Sequence, residues 1–540
     1  MDMILINGRI HTQDPERPFA RALAVEGNHI AAVGGNDLIR RAGAGARVID
    51  LQGRCVTPGL VDSHMHTAHM ALSLGEVQLY GVKSLEELKQ AVRDFIRQRK
   101  IPQGQWVRGC GWNQDLFAEG RLPNRHDLDA ISQAHPIVLD RVCGHCRVAN
   151  SLAMQIKGVN AGTACPPGGS FTLGEDGQPD GLFYEDAMAL MHSGAQMEQA
   201  EVEALLLEGM QRAAALGLTA LGSEDLASLP CPWERVIAAY HALAQRGEMP
   251  VRVVEQCLLP DEETLQDFFE RGYGPGWGDG LFRLGPLKLL ADGSLGARSA
   301  YLREDYRDDP GNRGIALYTQ RQLNRLVFMA HRRGMAVAVH AIGDGAIEMV
   351  LDAVSAAQAR CPNTALRHGI IHCQITDPAL IGRIREQRMQ VFAQPVFLEY
   401  DLSMAEARVG RSLAATSYAF KTMLEAGIPV SAGSDCPVES LDPLCGLYCA
   451  VTRQDYQGRP QGGWFPEQRL SIQEAVGLYT AAGARALGLE GRAGVLAPGM
   501  LADFTVFDSD LYELGPDQLR EARVEMTVMD GKVRYQRAGG

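Results

Sequence analysis

From about residue 205 onward, short apolar β-favouring runs alternate with longer segments whose apolar residues recur at helical spacing. The strand-like runs are Leu218–Gly222, Val251–Leu258, Phe282–Leu290, Ala336–His340, Gly369–His372, Met389–Ala393 and Ile428–Ala432. Between them, Leu323–His331 has the clearest helical pattern, opened by Thr319-x-x-Gln322 and stopped near Gly334. Ser471-x-x-Glu474 opens a last long helix that runs towards Leu489. Far upstream, Val56–His66 reads as another buried strand, entered through Pro58-Gly59. That makes eight strands, and their alternation with helices implies parallel pairing. Eight parallel strands close a (β/α)8 barrel, the TIM-barrel class, whose working residues sit at the C-terminal ends of the strands.

The two ends of the chain have a different rhythm. Ile4-Leu5-Ile6, Asn7-Gly8 and Arg9-Ile10 predict a hairpin, because Asn-Gly supplies the positive φ angles of a type I′ turn. Leu23–Val25, a turn at Glu26-Gly27-Asn28 and Ile30–Val33 predict a second. Phe504–Phe507 and Met526–Met529, with Asp530-Gly531 before Lys532-Val533, repeat the style. Each piece is too small to bury a core alone, so residues 1–55 and 490–540 are expected to form one small β-sandwich. Residues 56–489 are then the barrel. The tract of about 75–200 is too long for a strand-to-helix connection and reads as an inserted subdomain after the first strand. It holds a helix beginning at Ser84-x-x-Glu87, with Leu85, Leu88, Val92, Phe95 and Ile96 in helical register, and then a run rich in proline and glycine from Pro166 to Gly181.

The totals narrow the class without naming a chemistry. A formal charge of −13 lacks the basic footprint of a nucleic-acid binder. No apolar run near 18 residues and no basic-then-apolar leader is found, so neither membrane spanning nor secretion is expected. Twelve scattered cysteines suit a reducing cytoplasm better than a disulfide scaffold.

The candidate chemistry lies at the predicted strand ends. His64 and His66, two apart on one strand, project from the same face and pair as metal donors. Lys288 lies near the end of Phe282–Leu290, the fourth strand when Val56–His66 is counted first, His340 and His372 close the next two, and Gly433-Ser434-Asp435 follows the last. A lone histidine ending an apolar strand is ordinarily a hydrogen-bonded core residue, and a lone strand lysine ordinarily snorkels. Six such groups at one rim call for a shared role. His69 and His368 fall off that rim and are read as structural. Cys143-Gly144-His145-Cys146 has redox or zinc spacing, but no second pair follows it and no βαβ context surrounds it.

The order His-x-His, Lys, His, His, Asp resembles the amidohydrolase superfamily. Leu287–Ala300, Pro166-Pro167-Gly168-Gly169, Gly181–Glu185, His340–Asp344 and Gly433–Val438 resemble its branch containing N-substituted formamide deformylase, and Gly494–Phe504 resembles the superfamily's return to its small β-domain. The resemblance implies two divalent metal ions, zinc above all. His64, His66 and Asp435 would hold one and His340 and His372 the other, with Lys288 carboxylated by CO2 to a bridging carbamate. It also implies hydrolysis of a non-peptide C–N bond in an amide- or formamide-like small molecule by metal-bound hydroxide, with Asp435 as general acid/base. His145, in a segment similar to one that faces the family's substrate cavity, Trp112 and Arg298 are the candidate substrate contacts. The expected protein is a cytoplasmic enzyme without nucleic-acid or membrane partners, with a homodimer as the assembly considered. Ile371 departs from the family, which often carries Glu before the sixth-strand histidine, and this puts the orientation of His372 in question. A deaminase or cyclic-amide hydrolase of the same superfamily is the alternative enzyme. Lys288 and the Ala-Ile-Gly-Asp after His340 favour the amidohydrolase. A regulatory protein retaining the fold is the alternative from another class.

Overall fold

The computed structural model describes residues 1–43, 45–141, 146–166, 168–191 and 197–538. The chain forms two compact units, Met1–Ala68 with Gln199–Gly540, and His69–Glu198.

In the first unit eight parallel strands form a nearly closed barrel. They are Leu60–Met65, Leu218–Ser223, Arg252–Leu258, Phe282–Leu290, Val337–Ala341, Gly369–His372, Gln390–Ala393 and Val430–Ala432, hydrogen-bonded to one another in chain order. The first and eighth strands meet at the seam. There the Ser431 hydroxyl reaches that of Ser63 at 2.9 Å, the Asp435 amide donates to the His64 carbonyl at 2.8 Å, and the His66 amide donates to Cys436 at 2.9 Å. The amphipathic segment after the fourth strand is a helix, Gln320–Arg332, and Thr319 and Gln322 cap it reciprocally.

The expected strand Val56–His66 is in fact two strands. Cys55–Pro58 pairs antiparallel with Phe504–Phe507 in a terminal sheet, and Leu60–Met65 enters the barrel beside Leu218–Ser223. The break falls at Gly59, where an added Cβ would collide with the Thr219 side chain, so only glycine fits the crossing from one sheet to the other. The expected hairpin at Asn7-Gly8 does not form. Met3–Ile6 pairs with Ala22–Glu26 and Arg47–Asp50, whereas Arg9–His11 joins the other terminal sheet beside Cys55–Pro58. The turn carries the chain between sheets, with φ positive at Asn7 alone. The hairpin Ala22–Glu26 with His29–Gly34 forms as expected, and so does Val524–Met529 with Lys532–Gln536, which turns through Asp530 and Gly531 at φ 58° and 71°.

Both chain ends build one core, in which Leu5, Ile10, Leu23, Val25 and Val56 pack with Phe504, Val506 and Val528. Arg252, at the start of the third barrel strand, ties this layer to the barrel through Asp503 at 3.0 Å and Asp530 at 2.9 Å. The last helix is not continuous, because Ile472–Leu478 and Ala481–Ala486 are separated at Thr480.

The second unit is a six-stranded mixed sheet with the helix Leu85–Arg99, whose first turn is capped by Ser84 accepting from the Glu87 amide. Its core includes Leu88, Val92, Val107, Trp112 and Leu139. Among the described residues no helix is long and apolar enough to cross a membrane.

Candidate metal centre

The six rim residues foreseen from the sequence all lie in the first unit and converge. His64 is the last but one residue of the buried first strand, and His66 lies one residue beyond its end. Their rings stand 5.2 Å apart, as two positions on one strand face require. His64 and His372 are 5.9 Å apart between ring centres, and His340 and His372 are 4.4 Å apart. Lys288 is buried, with its Nζ 3.0 Å from His64 Nε2. Asp435 Oδ1 lies 3.2 Å from His64 Nε2 and 3.0 Å from His66 Nε2. One donor atom each from His64, His372 and Asp435 falls within 4.8 Å of the others.

Residues not singled out from the sequence set the direction of these donors. Gln256 Oε1 lies 2.6 Å from His64 Nδ1, and the Gln256 amide nitrogen is itself held by the Ser63 carbonyl. This network puts the His64 proton on Nδ1 and leaves Nε2 bare towards the centre. Gln394 acts in the same way on His372. Its Oε1 accepts from Nδ1 at 2.8 Å and its Nε2 donates to Phe392. The orientation that Ile371 cannot provide therefore comes from the neighbouring strand, while Ile371 packs with Ala338 and Phe392. His340 donates from Nε2 to the Gly293 carbonyl at 3.0 Å, which leaves its Nδ1 bare.

These tautomers place His340 Nδ1 and His372 Nε2, two bare nitrogens, 2.9 Å apart. Two lone pairs that close repel unless a proton or cation stands between them. At His64 Nε2, which faces the Asp435 carboxylate, the Lys288 amine at 3.0 Å takes that place. Burial and the nearby Lys288 charge lower the His64 imidazole to about 4, so it is neutral at physiological pH. Burial and His340 lower His372 likewise. Burial pushes the Asp435 carboxyl up, but its imidazole neighbours outweigh it and hold the group well below the usual range. Burial also lowers His66, yet Asp435 and Glu224 outweigh it and raise it to about 10. A proton on His66 thus supplies the positive charge that a cation would bring to the same place. Burial lowers the Lys288 amine, favouring the neutral form that can react with CO2. Bare imidazole nitrogens around an anionic carboxylate are a donor set that fits borderline transition cations.

The rim is locked from behind by Asp62. Its Oδ1 accepts from the His64 and Ser434 amides, each at 3.1 Å, and its Oδ2 accepts from the Ser434 hydroxyl. Asp435 itself sits in the left-handed region at φ 58°. On the opposite side Asp292 accepts from the amides of Tyr301, Ile342 and Gly343, fixing the loop beyond Lys288 next to His340. The sequence signal for these positions was a polar residue set in or just after an apolar strand, as in Val253-Val254-Glu255-Gln256 and Phe392-Ala393-Gln394.

The other foreseen positions fare differently. Trp112 is fully buried in the second unit's core, where its indole donates to the Leu139 carbonyl at 2.9 Å, and this leaves no face for a substrate. Arg298 is engaged by Asp308 at 3.0 and 3.2 Å. His145 and Cys143 lie outside the described residues, as does Pro167, and Cys146 is buried in the strand Cys146–Ala149. His69 is exposed on the helix Thr67–Leu74. His368 bonds to His331 of the helix Gln320–Arg332 at 3.0 Å, a packing role.

Comparison with known proteins follows the same line. A model of the amidohydrolase family matches residues 47–535. The chain is 32% identical to the putative amidohydrolase YtcJ of Bacillus subtilis, over all of both chains. It is 28% identical to the N-substituted formamide deformylase of Arthrobacter pascens, over 100% of this chain and 99% of that one. It is 31% identical to the protein LONG AFTER FAR-RED 3 of Arabidopsis thaliana, over 99% of this chain and 91% of that one. A solved metal-dependent hydrolase of uncharacterised function from Pyrococcus horikoshii superposes with a TM-score of 0.79 at 26% identity, covering 95% of this chain and 99% of its own.

Proposed function

Because the chain belongs to the amidohydrolase family, whose members act on C–N bonds other than peptide bonds, we propose that it hydrolyses a small amide or formamide-like substrate at the rim centred on Asp435. The observation that carries this reading is the approach of His340 Nδ1 and His372 Nε2 to 2.9 Å beside a buried lysine and carboxylate. His64, His66 and Asp435 would hold one cation and His340 and His372 a second, most simply zinc, and Lys288, once carboxylated by CO2, would supply a further anionic oxygen ligand. When bound, such ions acidify a water and polarise a substrate carbonyl.

The chain's own residues supply the rest. Gln256 and Gln394 hold two imidazoles in the tautomer that turns Nε2 inward. Asp435, kept ionised by its histidine neighbours, accepts the proton of the attacking water at Oδ1 and delivers it to the departing nitrogen, which is too basic to leave as an anion. The strand-end position, buried on all sides but the rim, keeps that proton from bulk solvent.

One relative points towards a substrate: it is named N-substituted formamide deformylase, which supports the N-formyl class, and its 28% identity extends over the whole chain. A deaminase reading is disfavoured by Lys288, and a purely regulatory reading by a donor set kept intact. The test is a screen of the metal-loaded protein over N-formyl, N-acyl and cyclic amides. An N-formyl amine should be the best substrate, and Asp435→Asn should lose turnover while keeping its fold by circular dichroism. Activity confined to cyclic amides overturns the substrate class, and an active Asp435→Asn overturns the proton route.

A further inference from the structure

The two chain ends bring together a second group of donors, far in sequence from the barrel rim. His11 ends the strand Arg9–His11, Cys55 opens the neighbouring parallel strand Cys55–Pro58, and Asp510 lies in the turn after Phe504–Phe507. One donor atom each from His11, Cys55 and Asp510 falls within 4.8 Å of the others, and His11 Nε2 is 3.0 Å from Asp510 Oδ1.

We infer that His11, Cys55 and Asp510 form a separate site for a thiophilic divalent cation, zinc above all, which staples the N-terminal segment to the C-terminal one. Three features beyond proximity support it. The donors are one imidazole, one thiol and one carboxylate, a set suited to zinc and poorly suited to magnesium or calcium. Their environment also balances charge. A thiolate and a carboxylate neutralise a divalent ion, and the remaining cation, Arg9, pairs with both Asp510 and Glu513. Finally, two of the donors are held from behind: Tyr512 stacks on the His11 ring at 3.8 Å, and Asp510 Oδ1 is steadied by the Tyr512 amide at 3.1 Å. Burial and the Asp510 carboxylate push the Cys55 thiol up, so its proton leaves only when an ion takes its place. The Cys55 thiol is fully buried, whereas the His11 side chain is about one fifth exposed, so His11 marks the way in. Ion binding displaces the thiol proton and the His11 Nε2 proton now shared with Asp510, and water completes the coordination.

The test uses the full chain, freed of metal and titrated with cobalt(II). A sulfur-to-cobalt charge-transfer band in the near ultraviolet appears only where a cysteine ligates. The rim centre has no cysteine among its six donors, so the band does not read the rim, whatever becomes of the catalytic proposal, and Cys55→Ser separates this site from the chain's other cysteines. The account expects a band saturating at one cobalt per chain in the unmodified protein, absent in Cys55→Ser. In His11→Ala, a change at a partly exposed position, the band should require more than about 100-fold higher cobalt, beyond what losing a mere hydrogen-bond partner of a ligand gives. No band in the unmodified protein, or an undiminished band in Cys55→Ser or His11→Ala, overturns the site.

Discussion

At the residue scale, direction matters as much as identity. Four imidazoles at a barrel rim become useful only when each presents a bare nitrogen inward, and three of them owe this to a carbonyl oxygen behind the ring, from Gln256, Gln394 or the Gly293 backbone. Replacing Gln394 by Leu removes the acceptor at His372 Nδ1 and frees the ring to take the other tautomer. Metal affinity, measured by competition with a chromophoric chelator, should fall by about 10–100-fold while the melting temperature changes little. An unchanged affinity would assign Gln394 to packing. The six donors were legible in the sequence because histidine, lysine and aspartate are rare at the ends of apolar runs. The glutamines were not, since a glutamine at a strand end has no chemistry until its partner ring is placed beside it. Trp112 was misjudged for the converse reason, because an indole that fills a core and one that lines a pocket look alike in sequence.

At the element scale, the barrel seam decides whether Asp435 meets the histidines. Gly433 follows the end of the eighth strand, and an added Cβ there would lie 2.7 Å from the His64 amide and 2.9 Å from Asp62 Oδ1. Gly433→Ala should therefore push the first and eighth strands apart, destabilising the fold by roughly 1–3 kcal/mol and lowering metal occupancy with it. A variant with unaltered melting and metal content would show that the seam has slack. Seven barrel strands were legible almost to their ends, because parallel strands buried on both faces leave continuous apolar runs. The first was not. Cys55–Pro58 and Leu60–Met65 share one apolar run, and only the clash of Gly59 with Thr219 reveals that the chain changes sheets there. The Asn7-Gly8 turn failed for a related reason. Local turn chemistry permits a hairpin, but burial of both flanking strands in different sheets overrides it.

At the scale of the whole molecule, the barrel also contains a buried, hydrogen-bonded histidine pair. His368 Nδ1 accepts from the Val337 amide at 3.1 Å, its Nε2 donates to His331 Nδ1, and His331 Nε2 donates to the Cys361 carbonyl. Every ring nitrogen is committed, so a further proton on His368 would face an N–H group. Burial, with the neighbouring His331, lowers His368 to about 4, below its unfolded value, so the unfolded chain binds the proton first. Stability is therefore full above about pH 6.5 and is lost as pH falls towards 4, by at most about 3 kcal/mol from this group. His368→Asn, which takes up no proton, should lose less melting temperature than the unmodified chain between about pH 7 and pH 5; equal losses would place the acid sensitivity elsewhere. The central claim is that six side chains from five barrel strands and their ends hold a pair of cations. Anomalous diffraction at the zinc edge from zinc-loaded crystals tests it most directly. The account predicts two neighbouring peaks in the rim, one against His64, His66 and Asp435 and one against His340 and His372, joined by density continuous with Lys288. A rim without peaks, or a lone peak with Lys288 ending in a free amine, would contradict it.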